Sequence, residues 1–253
     1  MNTIYKPARG FLFSRVLWAL SNSMQLLFTL LWTAACICLA LGVLLVTRRR
    51  HWPLRMASGL WAPGLLWGAG AQLRIEGLEN IDHERAQVLV ANHQSIIDIC
   101  VLFRAVPVPL RFVLKQELAR VPFVGWYARA MGMVFIRRGS AHSAAARLRV
   151  AVRLLKDGHS LCAFPEGTRS RDGTLKPFKG GAFHAAMAAQ ADIVPVAIEG
   201  SGRVLPAEGF AVRPGIITLR IGKPIPSSGK DRHVLARQAH GAVSSMLEQM
   251  RRG

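Results

Sequence analysis

The stretch from Val16 to Val46 contains no charged side chain, although the formal net charge of the whole chain is +19. Its core, residues 24–46, is 23 residues long, or about 34 Å as a helix, which is enough to cross the hydrocarbon core of a bilayer. Three arginines at positions 48–50 end it abruptly. A cleaved signal peptide fits poorly, because no small-residue cleavage site comes before the arginines. The stretch therefore predicts a retained membrane segment.

A second apolar stretch runs from Leu54 to Ala71, with Pro63 near its middle and Arg55 as its only charged residue. Its tryptophans suit the membrane interface, where the apolar ring can contact lipid while the N–H forms a hydrogen bond with water or head groups. The two stretches could form a hairpin that enters one leaflet, or one span followed by an interfacial helix. We therefore take residues 1–71 as a membrane-associated helical segment and residues 72–253 as a domain of its own.

Composition agrees with a membrane location. Hydrophobic residues make up 51% of the 253 residues, and 33 Lys and Arg stand against 14 Asp and Glu. Apolar and strongly basic character together favour an anionic membrane surface over nucleic acid as the partner. A noncatalytic basic binder of membranes or nucleic acid is the alternative. The four cysteines have no zinc or disulfide spacing, which indicates a reducing compartment.

After residue 72, short apolar segments alternate with helical patterns. Apolar residues at helical spacing predict helices over residues 141–157, 181–189 and 232–250. This alternation predicts a single α/β domain with a mostly parallel or mixed sheet flanked by helices. In such sheets, functional residues gather at the carboxyl ends of the strands. Seven segments are predicted as strands: Leu73–Ile75, Gln87–Ala91, Arg111–Leu114, Met133–Ile136, Ser160–Phe164, Ile193–Ile198 and Ile216–Ile221.

One candidate catalytic pair, His93 and Asp98, directly follows the predicted strand Gln87–Ala91. Residues five apart do not share a helix face. They can meet if His93 lies in a loop and Asp98 in the first turn of the next helix, for which Ser95 is the candidate N-cap. A neutral imidazole held by a carboxylate is suited to act as a general base on a hydroxyl group. Taken alone, the pair is more often a helix cap beside a surface histidine.

A second motif, Phe-Pro-Glu-Gly-Thr-Arg-Ser at residues 164–170, follows another predicted strand. We interpret it as an anion-binding turn. Gly167 permits close approach of the backbone, Thr168 offers a hydroxyl and an N–H, and Arg169 offers a forked cation. Glu166 could orient this cation or accept a hydrogen bond from a substrate hydroxyl. A polar turn with Glu166 and Arg169 paired in solvent is the alternative.

The motifs together resemble those of the glycerolipid acyltransferase family, specifically the 1-acyl-glycerol-3-phosphate (lysophosphatidate) acyltransferases. Lys115 matches a further lysine of the family, whereas Arg137 stands where an acidic residue is usual. Four family blocks are matched in order across about 110 residues: Asn92, His93 and Asp98; Gly132, Phe135, Ile136 and Arg138; residues 164–170; and Val194, Pro195, Val196 and Gly200.

The resemblance implies transfer of a fatty acyl group from acyl-coenzyme A or acyl carrier protein to the hydroxyl of 1-acyl-glycerol-3-phosphate, giving phosphatidate. Another lysophospholipid or a lyso-aminolipid is the alternative acceptor. His93 would take the hydroxyl proton, and Asp98 would fix the tautomer of its ring. Substrate binding is assigned to residues of the basic blocks and the turn: Lys115, Arg138, Glu166, Gly167, Thr168 and Arg169.

The same resemblance implies no cofactor and no metal ion, since the thioester is a co-substrate. The expected partners are the bilayer, lysophosphatidate and the thioester donor, without nucleic acid. The arginines that flank the apolar stretches favour, by a small margin, a catalytic domain that faces the cytoplasm. The expected location is therefore the inner (cytoplasmic) membrane.

Overall fold

The N-terminal segment is a helical hairpin in the computed structural model, which describes residues 9–136 and 141–252. Helix α1 spans Arg9–Thr47. The chain then returns through α2 (His51–Met56), a π-helical turn (Ala57–Trp61) and α3 (Ala62–Gly68).

Two tryptophans join the arms of this hairpin. The indole N–H of Trp32 donates to the carbonyl of Trp61 over 3.2 Å, and the indole N–H of Trp61 donates to the hydroxyl of Thr33 over 3.1 Å. Gly64 makes the close approach possible, because a Cβ there would lie 2.4 Å from the Trp32 ring. By length and composition, Val16–Thr47 could cross a membrane.

The strands form a single mixed sheet in the described residues, and each of the seven predicted strands is present. Their order is β1-β7-β6-β2-β5-β3-β4. Five strand pairings are parallel and the β6–β7 pairing is antiparallel. The fold class predicted from the alternating pattern is therefore confirmed. The strands are β1 (Ala71–Glu76), β2 (Gln87–Ala91), β3 (Leu110–Lys115), β4 (Val134–Ile136), β5 (Ser160–Ala163), β6 (Asp192–Glu199) and β7 (Gly215–Ile221).

The helices that follow residue 72 are α4 (Asp98–Ala105), α5 (Val124–Ala130), α6 (Ala141–Lys156), α7 (Gly181–Ala189), α8 (Ser201–Val204) and α9 (Arg232–Arg252), with 3₁₀ turns at Leu78–Asn80 and Gln116–Arg120. The three helices predicted over residues 141–157, 181–189 and 232–250 lie close to their predicted positions, and a helix begins at Asp98 as expected, whereas α5 and α8 were not predicted. Gly158, with φ of 83°, ends α6 in the left-handed conformation that glycine favours.

Both faces of the sheet are covered, so β2 carries apolar residues throughout. Leu89 and Ala91 face the core beneath α4 and the hairpin, whereas Val88 and Val90 face the core beneath α6, α7 and α9. This is the alternation of a strand buried on both sides. Because β2 and β5 are parallel neighbours, paired from Val88 to Val90, the loops after them emerge side by side at one edge of the sheet.

Candidate active site

His93 and Asp98 are brought together in the loop between β2 and α4. The Nδ1 atom of His93 lies 2.8 Å from Oδ2 of Asp98. The Asp98 side chain is fully buried, whereas that of His93 keeps 16% of its surface exposed. A carboxylate at Nδ1 favours the tautomer with its proton on that nitrogen. The lone pair on Nε2 is then free to accept a proton, and none of the described residues bonds to it.

The start of α4 differs from the prediction. Asp98 is the first helical residue, as expected, and Ile97 takes the N-cap position without a side-chain cap. The Ser95 hydroxyl accepts the backbone N–H of Ile97 over 3.3 Å, so it caps the turn before α4 and not the helix itself. The Asp98 carboxylate reaches back toward the preceding loop. Its Oδ2 accepts the backbone N–H groups of Gln94 (2.8 Å) and Ser95 (2.9 Å) in addition to the imidazole. These bonds hold Asp98 in place beside His93.

Aromatic packing fixes the histidine ring on its other side. The rings of His93 and Phe164 are stacked, with centroids 3.9 Å apart and planes 14° apart. Phe164 opens the 164–170 motif, so this contact joins the two motifs directly. An aromatic face also favours a cation over it, which would help a protonated imidazole.

Glu166 supports the loop from inside the protein. It is 3% exposed. One carboxylate oxygen accepts the backbone N–H of His93 over 2.7 Å, and the other accepts that of Lys176 over 3.0 Å. Burial raises the pKa of Glu166, although the two backbone bonds act in the opposite direction. The solvent-exposed pairing of Glu166 with Arg169 is therefore wrong, and contact of Glu166 with substrate stays a prediction.

The 164–170 turn is held against the histidine loop. The backbone N–H of Ser170 donates to the carbonyl of His93 over 2.7 Å. Gly167 has φ of 75°, and Nζ of Lys179 lies 2.6 Å from the point where a Cβ on Gly167 would stand. Nζ of Lys176 lies 3.4 Å from the Thr168 hydroxyl and 3.0 Å from the Arg169 carbonyl.

These two lysines are cations that the sequence reasoning missed. Residues 171–180 fold back so that Lys176 and Lys179 reach the turn, which adds positive charge beside Gly167 and Thr168. A signal for this return was present, since Asp172–Gly173 is a dipeptide typical of tight turns. Gly173 has φ of 77°, and Asp172 accepts the N–H of Thr174 over 3.0 Å.

The other predicted phosphate ligands are distributed around the same edge. Lys115 is exposed at the carboxyl end of β3, next to β5, and Arg169 is exposed on the turn. Arg169 forms no ion pair with any described side chain, so its guanidinium can take an anion. Arg138 lies outside the described residues. Its assignment stays a prediction.

Neither nearby thiol nor hydroxyl is placed as a nucleophile. Burial, and then the charge of Asp98, raise the pKa of Cys100 to about 12, so its thiol stays protonated. Ser95 is fully buried and donates its hydroxyl proton to the carbonyl of Leu205 over 2.5 Å. Among the described residues, no three His, Cys, Asp or Glu side chains are grouped to hold a metal ion. The arrangement places a histidine and a buried carboxylate beside a cationic turn.

A family model described as acyltransferase matches residues 72–199. The chain therefore belongs to the acyltransferase family, as its motifs led us to expect. It is 36% identical over 180 residues to the chloroplastic 1-acyl-sn-glycerol-3-phosphate acyltransferase of Arabidopsis thaliana, covering 70% of this chain and 49% of the relative. The chain thus spans about half the length of that relative.

Two other similarities bear on the site. The lyso-ornithine lipid O-acyltransferase of Pseudomonas aeruginosa is 37% identical over 174 residues, covering 62% of this chain and 66% of the relative. The crystal structure of the 1-acyl-sn-glycerophosphate acyltransferase PlsC of Thermotoga maritima matches with a TM-score of 0.83 and 27% identity, covering 94% of this chain and 97% of that one.

Proposed function

We propose that this protein transfers a fatty acyl group from an acyl thioester to the free hydroxyl of 1-acyl-glycerol-3-phosphate, producing phosphatidate. The observation that carries the proposal is the 2.8 Å contact between Nδ1 of His93 and Asp98, with Nε2 left to face a substrate. The names of the Arabidopsis and Thermotoga relatives support the choice of acceptor. The donor is acyl-coenzyme A or acyl carrier protein.

In this proposal, Nε2 of His93 removes the proton of the acceptor hydroxyl as its oxygen attacks the thioester carbon. The imidazolium that forms is stabilised by Asp98 through Nδ1–H, and by the face of Phe164. The new ester bond forms as the carbon–sulfur bond breaks. The proton on Nε2 then passes to the departing thiolate, which returns the ring to its neutral form. No acyl-enzyme is needed.

Cations at the turn would bind the phosphate of the acceptor. Arg169, Lys115 and Arg138 were assigned this role from the motifs, and the positions of Lys176 and Lys179 add two candidates. Hydrogen bonds between ionised groups are shorter and stronger than neutral ones. A phosphate held here would place the acceptor at the edge of the sheet where His93 lies.

His93→Ala and Asp98→Asn test the catalytic assignment. We expect either change to lower kcat by about a hundredfold or more, because general-base catalysis of this kind contributes about 10²–10⁴-fold. Turnover is measured with purified protein, radiolabelled lysophosphatidate and acyl-coenzyme A. His83→Ala is the matched control, because His83 is exposed in the loop before β2, at the opposite end of this strand from His93, and it should keep full activity. Retained turnover in the His93 and Asp98 variants, with folding intact, would contradict the proposal.

A lyso-aminolipid is the second candidate acceptor, since one relative carries the name of a lyso-ornithine lipid O-acyltransferase. Such an acceptor has no phosphate, so the cations of the turn would have less to bind. A panel of lysophosphatidate, lysophospholipids and lyso-ornithine lipid, run with both thioester donors, separates the two. Turnover of lyso-ornithine lipid without turnover of lysophosphatidate would replace the first proposal by the second.

The proposed location is the cytoplasmic membrane, with the catalytic domain on the cytoplasmic side. Both the uncharged helix and the arginines at positions 48–50 support it, because basic residues next to membrane segments favour the cytoplasmic side. Cell fractionation, followed by protease protection of the domain, would test this location.

A further inference from the structure

A buried cation lies at the edge of the sheet opposite the candidate active site. Arg111 is the second residue of β3 and is 4% exposed. Its Nε donates to the carbonyl of Met131 over 3.3 Å, but no described carboxylate forms an ion pair with it. Buried charges are normally paired, because an isolated one is costly to remove from water. The buried positive charge of Arg111 is therefore not compensated by any described carboxylate.

A second guanidinium group faces the same point. A Cβ on Gly132, which has φ of 73°, would lie 3.6 Å from Nη1 of Arg50 and 3.7 Å from Nε of Arg111. The two cations thus flank a small space that no side chain fills. Burial, and then the charge of Arg50, lower the pKa of Arg111. Because Arg50 and Arg111 both lie within 4 Å of the same point, their positive charges repel each other. An anion bound between them would relieve this repulsion.

His159 adds a third group, because the pairing of Leu110 with Ser160 and of Arg111 with Leu161 puts His159, the residue before β5, beside the start of β3. Burial lowers the pKa of His159, the charges of Arg111 and Arg50 lower it further, and Asp157 acts in the opposite direction. The imidazole is therefore neutral near pH 7, and it can donate a hydrogen bond to an anion without adding to the repulsion between the two arginines. An anion at this point would favour the protonated ring instead.

The position of Arg50 indicates which anion is available. It follows the uncharged stretch of α1 after only a few residues, where a membrane helix meets the lipid head groups. Trp52, which is 47% exposed, is typical of the same layer. The hydroxyl of Tyr127 donates to the carbonyl of Pro53 over 3.1 Å and holds α2 against α5, next to Arg111.

We propose that Arg50, Arg111 and His159 form a binding site for the phosphate group of an anionic membrane lipid, separate from the candidate active site. We call it the amino-edge site. Guanidinium groups bind phosphate through paired N–H donors, and basic residues near a membrane surface attract anionic lipids. The site concerns binding alone and does not depend on acyl transfer at His93.

The amino-edge site is tested with the full-length protein in neutral detergent micelles. Soluble dihexanoyl phosphatidylglycerol is added, and the ring signals of His159 are followed by nuclear magnetic resonance as the pH is varied. We expect the lipid to raise the pKa of His159, because a neighbouring anion favours the imidazolium. Arg50→Gln should raise this pKa even without lipid, since one cation is lost, and should weaken lipid binding about tenfold or more.

Arg49→Gln is the matched control, because it removes the same charge from the neighbouring exposed position. It should leave both the pKa of His159 and lipid binding close to those of the unaltered protein. An equal loss of lipid binding in Arg50→Gln and Arg49→Gln would overturn the site. A His159 pKa that does not change at saturating lipid would overturn it as well. An equal response to inorganic phosphate at the same concentration would overturn the lipid as its ligand.

Discussion

Glu166 illustrates how a single buried carboxylate can hold the backbone of a site in place. Its two oxygens accept backbone N–H groups on either side of it, from His93 and from Lys176. It therefore ties the histidine loop to the segment that returns two lysines to the turn. Loss of one acceptor would leave a buried N–H without a partner, which costs about 1–3 kcal/mol.

Glu166→Gln should accordingly lower the free energy of unfolding by about 1–3 kcal/mol, because the amide NH₂ cannot accept a backbone N–H. Since burial raises the pKa of Glu166 in the folded protein, its protonation stabilises the fold at low pH, and this contribution is lost as pH rises through the folded pKa. The difference between the two proteins should therefore shrink from pH 4 to pH 7. Urea unfolding across this range measures it, with the exposed Glu117→Gln as control. A constant difference would contradict the raised pKa.

Gly167 allows a second test at the scale of one residue. Gly167 and Gly158 have similar φ values, 75° and 83°, but only Gly167 has a neighbour, Lys179, at the position of a Cβ. Alanine at either site takes a left-handed conformation that costs about 1–2 kcal/mol. Only Gly167→Ala also displaces the lysine, so we expect it to raise the KM for the acceptor, whereas Gly158→Ala keeps it. An equal KM in both variants would argue against the phosphate role of the turn.

At the scale of whole elements, the hairpin is joined by two reciprocal tryptophan contacts. Trp61 donates to the hydroxyl of Thr33 and also packs edge-on against Phe103 of α4, with ring centroids 5.8 Å apart. The hydrogen bond and the packing therefore connect α1, the return arm and the catalytic domain. The π-helical turn at Ala57–Trp61 lies in this arm.

A double-mutant cycle on Trp61→Phe and Thr33→Val measures this connection. We expect each change to lower the free energy of unfolding by about 0.5–1.5 kcal/mol, and the pair to cost less than the sum, because both remove the same hydrogen bond. Thermal unfolding in detergent gives the values. Thr29→Val is the control, since the Thr29 hydroxyl bonds within α1 itself. Strict additivity would show that the bond does not contribute.

The elements were largely predictable from sequence, whereas their long-range contacts were not. Apolar segments bounded by turns located every strand, although only strands such as β2 are buried on both faces and β1 alternates between half-buried and exposed residues. Strand order and the antiparallel pairing of β6 with β7 depend on contacts between distant residues, and periodicity carries no such information. The capping serine was predicted at the right residue but for the wrong turn, since the Ser95 hydroxyl accepts the N–H of Ile97 in the turn before α4. Lys176 was missed because residues 171–180 fold back onto the 164–170 turn, and spacing along the sequence does not show this contact.

For the whole molecule, two residues that flank the apolar core of α1, residues 24–46, contact the same domain. At one end, Asn22 accepts the backbone N–H of Val212 over 2.8 Å, beside the start of β7. At the other end, Arg50 lies next to Gly132, before β4. A helix whose two ends contact one water-exposed domain cannot deliver them to opposite sides of a bilayer. Hydropathy indicates only that the segment is long and apolar enough to cross a membrane. It therefore could not distinguish a hairpin in one leaflet from a single span followed by an interfacial helix.

The outer face of α1 also favours a helix that lies in one leaflet. Large apolar side chains are exposed along its whole length: Leu20, Met24, Leu27, Leu30, Leu31, Leu39, Leu45 and Val46. The inner face packs on the return arm, with Trp32 and Phe28 against the glycines of α3. A helix with one apolar face in lipid and the other on protein is typical of interfacial membrane association.

We therefore expect the hairpin to enter the membrane and leave it on the same side. Single cysteines at Arg15, just before the uncharged stretch, and at Arg49, just after it, test this after Cys38→Ser removes the exposed native thiol. A membrane-impermeant maleimide is applied to sealed vesicles of known orientation, with Lys223→Cys marking the side of the domain. All three sites should react from one side, because Asn22 and Arg50, which flank the apolar core of residues 24–46, both contact the domain. Reaction of Arg15→Cys and Arg49→Cys from opposite sides would require a true span, and the contacts of Asn22 and Arg50 could not then coexist.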